Sequence, residues 1–359
     1  MMLTKPHDTR LKAAAGQGPL GRALLLSKQH KKRAQLTILL LAALLSGCSR
    51  ISRSRDVGGG YKLVGVDAYN QDPWRATLEC GATRQAKAMG ARFTWYSTAM
   101  DISSATEQAN YNAAMLSKPD AILIATFQPG TFSTQIKDLM QKGTPVIGLN
   151  GTITPATERV LFVNSIDSSD FVNYIATQMK GESGSIGVLG GTAGVPESVL
   201  RWKPVIDQLK QVAPNLRALP TQYDDDNRTK ASTAASAMIV ANPDLKAIYA
   251  ITGPEGEGAA AAVQQAGKAG QIKIYSYGAN EAEVAGLKRG VFAGLCGQPA
   301  LGMGAEGVKA AVSYLKSAKK GAPVPQLDPI VVNVPLKVLT KDNIDDPSSL
   351  PYLQKSTCD

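Results

Sequence analysis

The sequence predicts an α/β protein made of two similar doubly wound lobes, each built on a parallel sheet. Three observations lead there. Short β-type runs alternate with helical runs, at a spacing that suits a parallel sheet with helices on both faces. The segment Lys118-Pro119-Asp120 followed by Ala121 to Thr126 is echoed about 124 residues later by Asn242-Pro243-Asp244 followed by Ala247 to Thr252. Of the 359 residues, about 310 follow Cys48, too many for one ordinary core.

In chain order, the first series opens on the strand-like run KLVGVDA from Lys62. Asp72-Pro73 then starts a helix that runs to Met89, with an acceptor side chain at the cap and a proline in the first turn, where its missing N–H is not needed. RFTWY, a helix from Ile102 to Ser117, AILIAT, a helix from Thr131 to Lys142 and PVIGLN complete the series. The second begins near Ser165. It reads as a helix over 168–180, SIGVLGG, a helix over 196–212, a β-run over 216–223, a helix over 230–241, AIYAIT, a helix over 255–266, KIYSYG, a helix over 281–289 and VFAGLCG. In both copies of the echo a proline stops a helix, an aspartate turns the chain and a buried strand follows. A last helix, Pro299 to Lys319, and the run Ile330 to Val334 are too little for a third domain and are expected to return to the first two.

A formal net charge of +10 raises nucleic acid as a partner, but the excess is local. Eight basic residues and one acid, Asp8, precede Cys48, which leaves about +3 on the rest. Both histidines, His7 and His30, also lie there, so no imidazole remains after Cys48 for a triad, a general base or a metal site. Lys31-Lys32-Arg33 precedes the apolar run Ala34 to Leu45, the pattern of an export signal and short of the roughly 20 residues that span a bilayer. Leu45-Ser46-Gly47-Cys48 resembles the bacterial lipobox. That resemblance implies removal of residues 1–47, lipidation of Cys48, a flexible Ser/Arg/Gly-rich tether over 48–60, and a lipid-anchored protein in the periplasm or on the outer face of the cytoplasmic membrane.

Motifs along nearly the whole remaining chain, taken together, resemble the type 1 periplasmic sugar-binding proteins, the solute-binding partners of ABC importers. They are Asp72-Pro73-Trp74, Lys118-Pro119-Asp120-Ala121-Ile122, Gly143-Thr144-Pro145-Val146-Ile147, Gly190-Gly191 with Arg201, Asn227-Arg228, Asn242-Pro243-Asp244 and Gly297-Gln298-Pro299. The resemblance implies a three-segment hinge, with crossings near Asn164, Gly297 and Gly321 to Val324. Residues 61–164 with 298–322 would form an N-terminal lobe, 165–297 with 323–340 a C-terminal lobe, and 341–359 a tail. The function implied is capture of a small polar solute, a sugar or polyol, by hinge closure of a monomer that delivers it to membrane permease subunits. A sensor of the same fold that signals to a membrane receptor is the alternative. The sugar-responsive repressors that share this fold would need a helix-turn-helix before Tyr61, where the export signal stands, so no nucleic-acid partner is expected.

Ligands of open α/β sheets lie beyond the carboxyl ends of the strands. The residues there that suit a polyol are Asp72, Trp74, Phe127, Asn150, Arg201, Asp226, Glu255, Asn280 and Gln298. Carboxylates and amides match vicinal hydroxyls, and aromatic faces match CH surfaces. For Asp72 and Asn227, helix capping is at least as good an explanation. The resemblance implies that Arg201 is the main anchor and that Trp74 and Phe127 touch the ligand from the first lobe. It also implies that ribose is not read as the ribose-binding members read it. Their Asp-Arg pair after the fourth strand stands here as Asn150-Gly151, and the aromatic before their second-lobe Asp-Arg as Asp226. Their Asn-Asp pair stands as Thr252-Gly253, the aspartate after the ninth strand as Gly278, and the glutamine of the second crossover as Gly297, beside Gln298.

Enzyme readings fare worse. No G-x-S-x-G occurs; Gly302 to Gly307 satisfies G-x-G-x-x-G inside a helical run, where glycines serve close packing; Gly187 to Gly194 follows a strand without that spacing. Asp224-Asp225-Asp226 lacks the alternation of a calcium loop and reads as a solvated turn. No cofactor or metal is expected. A disulfide between Cys80 and Cys296 is conceivable near the cleft, with buried free thiols as the alternative.

Overall fold

The computed structural model describes residues 60–358 apart from 70–71, 99–103, 126–129, 151–160, 165–166 and 326–329. The export segment, Cys48 and Phe127 lie outside the described residues. The first sheet contains β1 (Lys62–Tyr69), β2 (Arg92–Thr98), β3 (Ala121–Ala125), β4 (Val146–Leu149), β5 (Leu161–Asn164) and β11 (Ile330–Asn333). Their order is β11-β5-β4-β3-β1-β2 and every pair is parallel. Helices α1 (Pro73–Ala88) and α9 (Ala300–Ser317) pack on one face with Leu63, Leu123 and Ile147. On the other face α2 (Ser104–Leu116) and α3 (Ser133–Gln141) pack with Val64, Ile122 and Val146. β3 is buried at all five positions, as a central parallel strand covered on both faces must be.

The second sheet repeats this plan. It contains β6 (Gly184–Leu189), β7 (Leu216–Ala218), β8 (Leu245–Ala250), β9 (Lys273–Ser276), β10 (Gly294–Gly297) and β12 (Lys337–Leu339), in the order β12-β10-β9-β8-β6-β7. Its pairs are parallel except that of β12, which runs antiparallel to β10. Helices α4 (Ser169–Met179) and α5 (Pro196–Val212) cover one face. The opposite face is covered by α6 (Arg228–Ala241), α7 (Gly253–Gln265) and α8 (Glu281–Lys288). The chain thus enters the second lobe after β5, returns to the first after β10, and crosses again after β11.

The third crossing differs from the expected one. Residues 330–333 pair with β5, and Val324 donates its N–H to Met140 O at 2.8 Å and lies in the first lobe's core. The crossing therefore falls between Asn333 and Lys337 instead of near Gly321 to Val324, and Val324 and residues 330–333 go with the first lobe. β5, too short to stand out in the sequence, is an additional strand.

The cysteine pairing is also different. Cys80 is joined to Cys358, with 5.3 Å between their Cα atoms, while Cys296 is a buried free thiol on β10. Close packing of α9 on α1 accounts for Gly304 of α9, where a Cβ would strike Leu78 O, and for Gly81 of α1, where one would strike Leu301 O. The first-lobe return is thus locked by backbone contact that side chains would prevent.

Candidate functional site

The carboxyl ends of the second sheet build the more complete half. After β6 the chain turns at Gly191, φ +67, in a space walled by Ile251, Asp226 and Ser198. Left-handed φ and close walls both favour glycine there. α5 follows and carries Arg201 in its second turn. Its Nη1 donates to Ile251 O at 3.1 Å and its Nη2 to Glu197 Oε1 at 3.0 Å. The guanidinium carbon sits 4.6 Å from the centre of the Tyr277 ring. Burial works against its charge, but Glu197, helped by Tyr277, Asp226 and Tyr249, holds its pKa above the ordinary value. Nε has no partner among the described residues.

Three consecutive aspartates meet three different fates. Asp224 and Asp225 donate their N–H groups to Gly191 O at 3.0 and 3.1 Å. Asp225, at φ 57, turns to solvent and pairs with Lys230 at 2.7 Å. Asp226, at φ 55, accepts from the Thr192 hydroxyl at 2.9 Å. Asp224 is buried beside Glu255. Burial pushes the Asp224 carboxyl up to about 7; the neighbouring Glu255 side chain opposes that and Asp226 adds to it. Glu255 is driven well above the carboxylate range by burial, then by Asp224 and Asp226. Its Oε2 meanwhile accepts from the N–H groups of Ile251 (2.6 Å) and Thr252 (3.0 Å), at the start of α7. Two carboxyls so placed hold a proton near neutrality.

Asn280 caps α8: its Oδ1 accepts from Glu283 N at 2.9 Å, and its Nδ2 donates to Glu257 Oε1 at 3.0 Å. Glu283 in turn accepts from Ser276 Oγ at 2.6 Å and Asn280 N at 3.0 Å. Burial raises the Glu283 carboxyl to about 7, against those two hydrogen bonds. Gln298 is buried at the second crossing, where its carbonyl accepts from Ala300 N at 2.9 Å.

From the first lobe, Asp72 caps α1 by accepting from Trp74 N at 2.9 Å. Burial raises its pKa, Arg75 and Arg201 pull it back, and Asp226 adds to the rise. Asp72 therefore lies within electrostatic reach of Arg201 and Asp226, so carboxyl ends of the two sheets face one another here. Arg75 forms a buried ion pair with Asp67 at the end of β1, and Asn110 Nδ2 donates to Asp67 O at 2.8 Å. Asn150 ends β4 at φ 47, and its buried Oδ1 lacks a partner among the described residues. Trp74 is 7% exposed and packs in the first-lobe core.

Of the expected residues, then, Asp72, Arg201 and Asp226 share one electrostatic site, with Glu255 beneath it. Asn280 and Glu255 are engaged in holding helix starts, and Trp74 serves the core. Glu197, Tyr277 and Asp224 are additional. The i, i+4 spacing of Glu197 and Arg201 was a usable signal; nothing separated Asp224 from its exposed neighbour.

Residues 64–320, more than half of the chain, match the periplasmic binding protein domain family. The chain belongs to this family. Among curated relatives of this periplasmic binding protein, the ribose import binding protein of Salmonella typhimurium is 27% identical over 256 residues, 71% of this chain and 84% of the relative. That of Bacillus subtilis is 22% identical over 283 residues, 76% of this chain and 89% of the relative. A solved ABC transporter solute-binding protein from Agrobacterium vitis, bound to α-D-tagatopyranose, superposes with a TM-score of 0.72 at 24% identity, over 82% of this chain and 99% of that one. Another, from Agrobacterium radiobacter in complex with D-arabinose, gives 0.72 at 20% identity over 83% and 100%.

Proposed function

We propose that this periplasmic binding protein captures a sugar or polyol between its two lobes and delivers it, as a monomer, to the permease of an ABC importer. The observation that carries this reading is that Asp72 of one lobe lies within electrostatic reach of Arg201 and Asp226 of the other. A molecule bearing several vicinal hydroxyls can donate to both carboxylates and accept from Arg201 at once. Curated relatives that carry import in their names support transport over signalling to a receptor. Lipidation at Cys48 would hold the protein beside its permease.

Thermal-shift screening tests the reading. Pentoses, hexoses and polyols are expected to include at least one compound that raises Tm, because a ligand of the native state alone stabilises it. A response confined to amino acids or peptides would overturn it.

A further inference from the structure

The carboxyl-terminal tail belongs to both lobes. Ile344 is buried in the second lobe's core beside Leu287, Leu295 and Leu339, and Tyr352 and Leu353 pack against that cluster. Tyr352 also closes over the second crossing, where a Cβ on Gly297 would come within 2.8 Å of the Tyr352 Cβ. Gln354, buried, donates its N–H to Ala279 O at 2.9 Å, just after β9 at the cleft-facing end of the second sheet. One residue later the tail is on the other lobe. Lys355 N donates to the Thr77 hydroxyl of α1 at 2.8 Å, Arg84 of α1 donates to Cys358 O, and Cys358 is bonded to Cys80 of α1.

We propose that this tail is a fourth crossing between the lobes, closed covalently, which limits how far the cleft opens. Only four residue steps separate the second-lobe anchor at Gln354 from the first-lobe anchor at Cys358, a reach of at most about 14 Å. The peptide crossings after β5, β10 and β11 lie at the hinge itself and permit rotation. The tail runs beside the second crossing, where Tyr352 covers Gly297, and adds a short link from the loop after β9 of the second lobe to α1 of the first. Removing wide-open arrangements while leaving the closed one untouched raises the closed fraction, and with it the apparent affinity. An exported protein keeps such a bond, since its compartment is oxidising. The proposal rests on the hinge-closure reading of the function, but its test needs no ligand.

Small-angle scattering of the ligand-free full chain decides it, comparing wild type, Cys358→Ser and a chain ending at Gln354. Both variants should show a larger radius of gyration and maximum dimension than wild type. Should Cys358→Ser alone expand, while the chain ending at Gln354 matches wild type, the change is a detached tail and the proposal falls. It falls equally if neither expands. If Cys358→Ser does not fold, dithiothreitol added to folded wild type gives the same comparison, with intact circular dichroism as the control and an unchanged radius as the refuting result. Failure of every sugar to bind would count against the proposed function and leave this comparison standing.

Discussion

Arg201 has two tasks that one substitution would confuse. It pairs with the half-buried Glu197, and its Nε is left without a partner among the described residues. Arg201→Ala removes the partner of the half-buried Glu197 and the group stacked on Tyr277, so weak binding by that variant would be ambiguous. Arg201→Lys keeps a cation near Glu197 but loses the planar fork and the Nε donor. We expect it to fold with a Tm close to wild type and to bind the sugar that responds in the thermal-shift screen at least tenfold more weakly, about 1.4 kcal/mol, by calorimetry. Affinity within twofold of wild type would remove Arg201 from the ligand. The motif Gly190-Gly191 with Arg201 made this residue legible. The burial of Asp224 was not legible, because Asp224-Asp225-Asp226 looks like one solvated run until two successive left-handed residues turn its members in different directions.

At the level of elements, the start of α8 shows how a helix cap becomes a pH sensor of stability. Glu283 reaches back to Asn280 N while Ser276 donates to its other oxygen, and the site is closed to water. Its folded pKa, about 7, is raised above the ordinary 4.5 chiefly by burial. The folded form therefore binds the proton more tightly than the unfolded form. This contribution is full below about pH 4.5 and is lost as pH rises through 7, at most about 3 kcal/mol. In Glu283→Gln the amide can donate to Ser276, whose hydroxyl can turn to Thr252 O, 3.3 Å away. We expect denaturant melts of wild type to lose stability from pH 5 to pH 8, and the variant to lose less. Asp224 and Glu255 act in the same direction, so some slope stays; equal slopes would refute the role of Glu283. Helices and central strands were legible because each carries its own start, stop and burial pattern, as Asp72-Pro73 and the two Pro-Asp turns do. The lobe joined by β11 and the partner of Cys80 were not, since strand pairing and a bridge across 278 residues depend on the assembled fold.

For the whole molecule, attachment and closure are separable. Lipidation predicts that Cys48→Ala leaves an unprocessed precursor, with the mature membrane-bound form lost on fractionation; the same processed, membrane-bound product would refute it. The proposed closure would depend on what it buries. Asp72 reaches its raised pKa where it lies near the second lobe, and burial is the largest cause, ahead of attraction to Arg75 and Arg201 and repulsion from Asp226. An opening that exposed this carboxyl to water would return it toward its ordinary 3.8. The closed form therefore gains over the open form as pH falls, and loses that gain as pH rises through the raised value. Ligand-free protein should consequently be more compact near pH 4.5 than near pH 7.5 by small-angle scattering. Asp72→Asn keeps an oxygen to cap α1 at Trp74 N yet carries no charge to desolvate. That variant should be compact at both pH values, whereas wild type at pH 7.5 should need its sugar to reach the same radius. If Asp72→Asn stays as open as wild type at pH 7.5, then burying this carboxylate is not what holds the empty cleft apart.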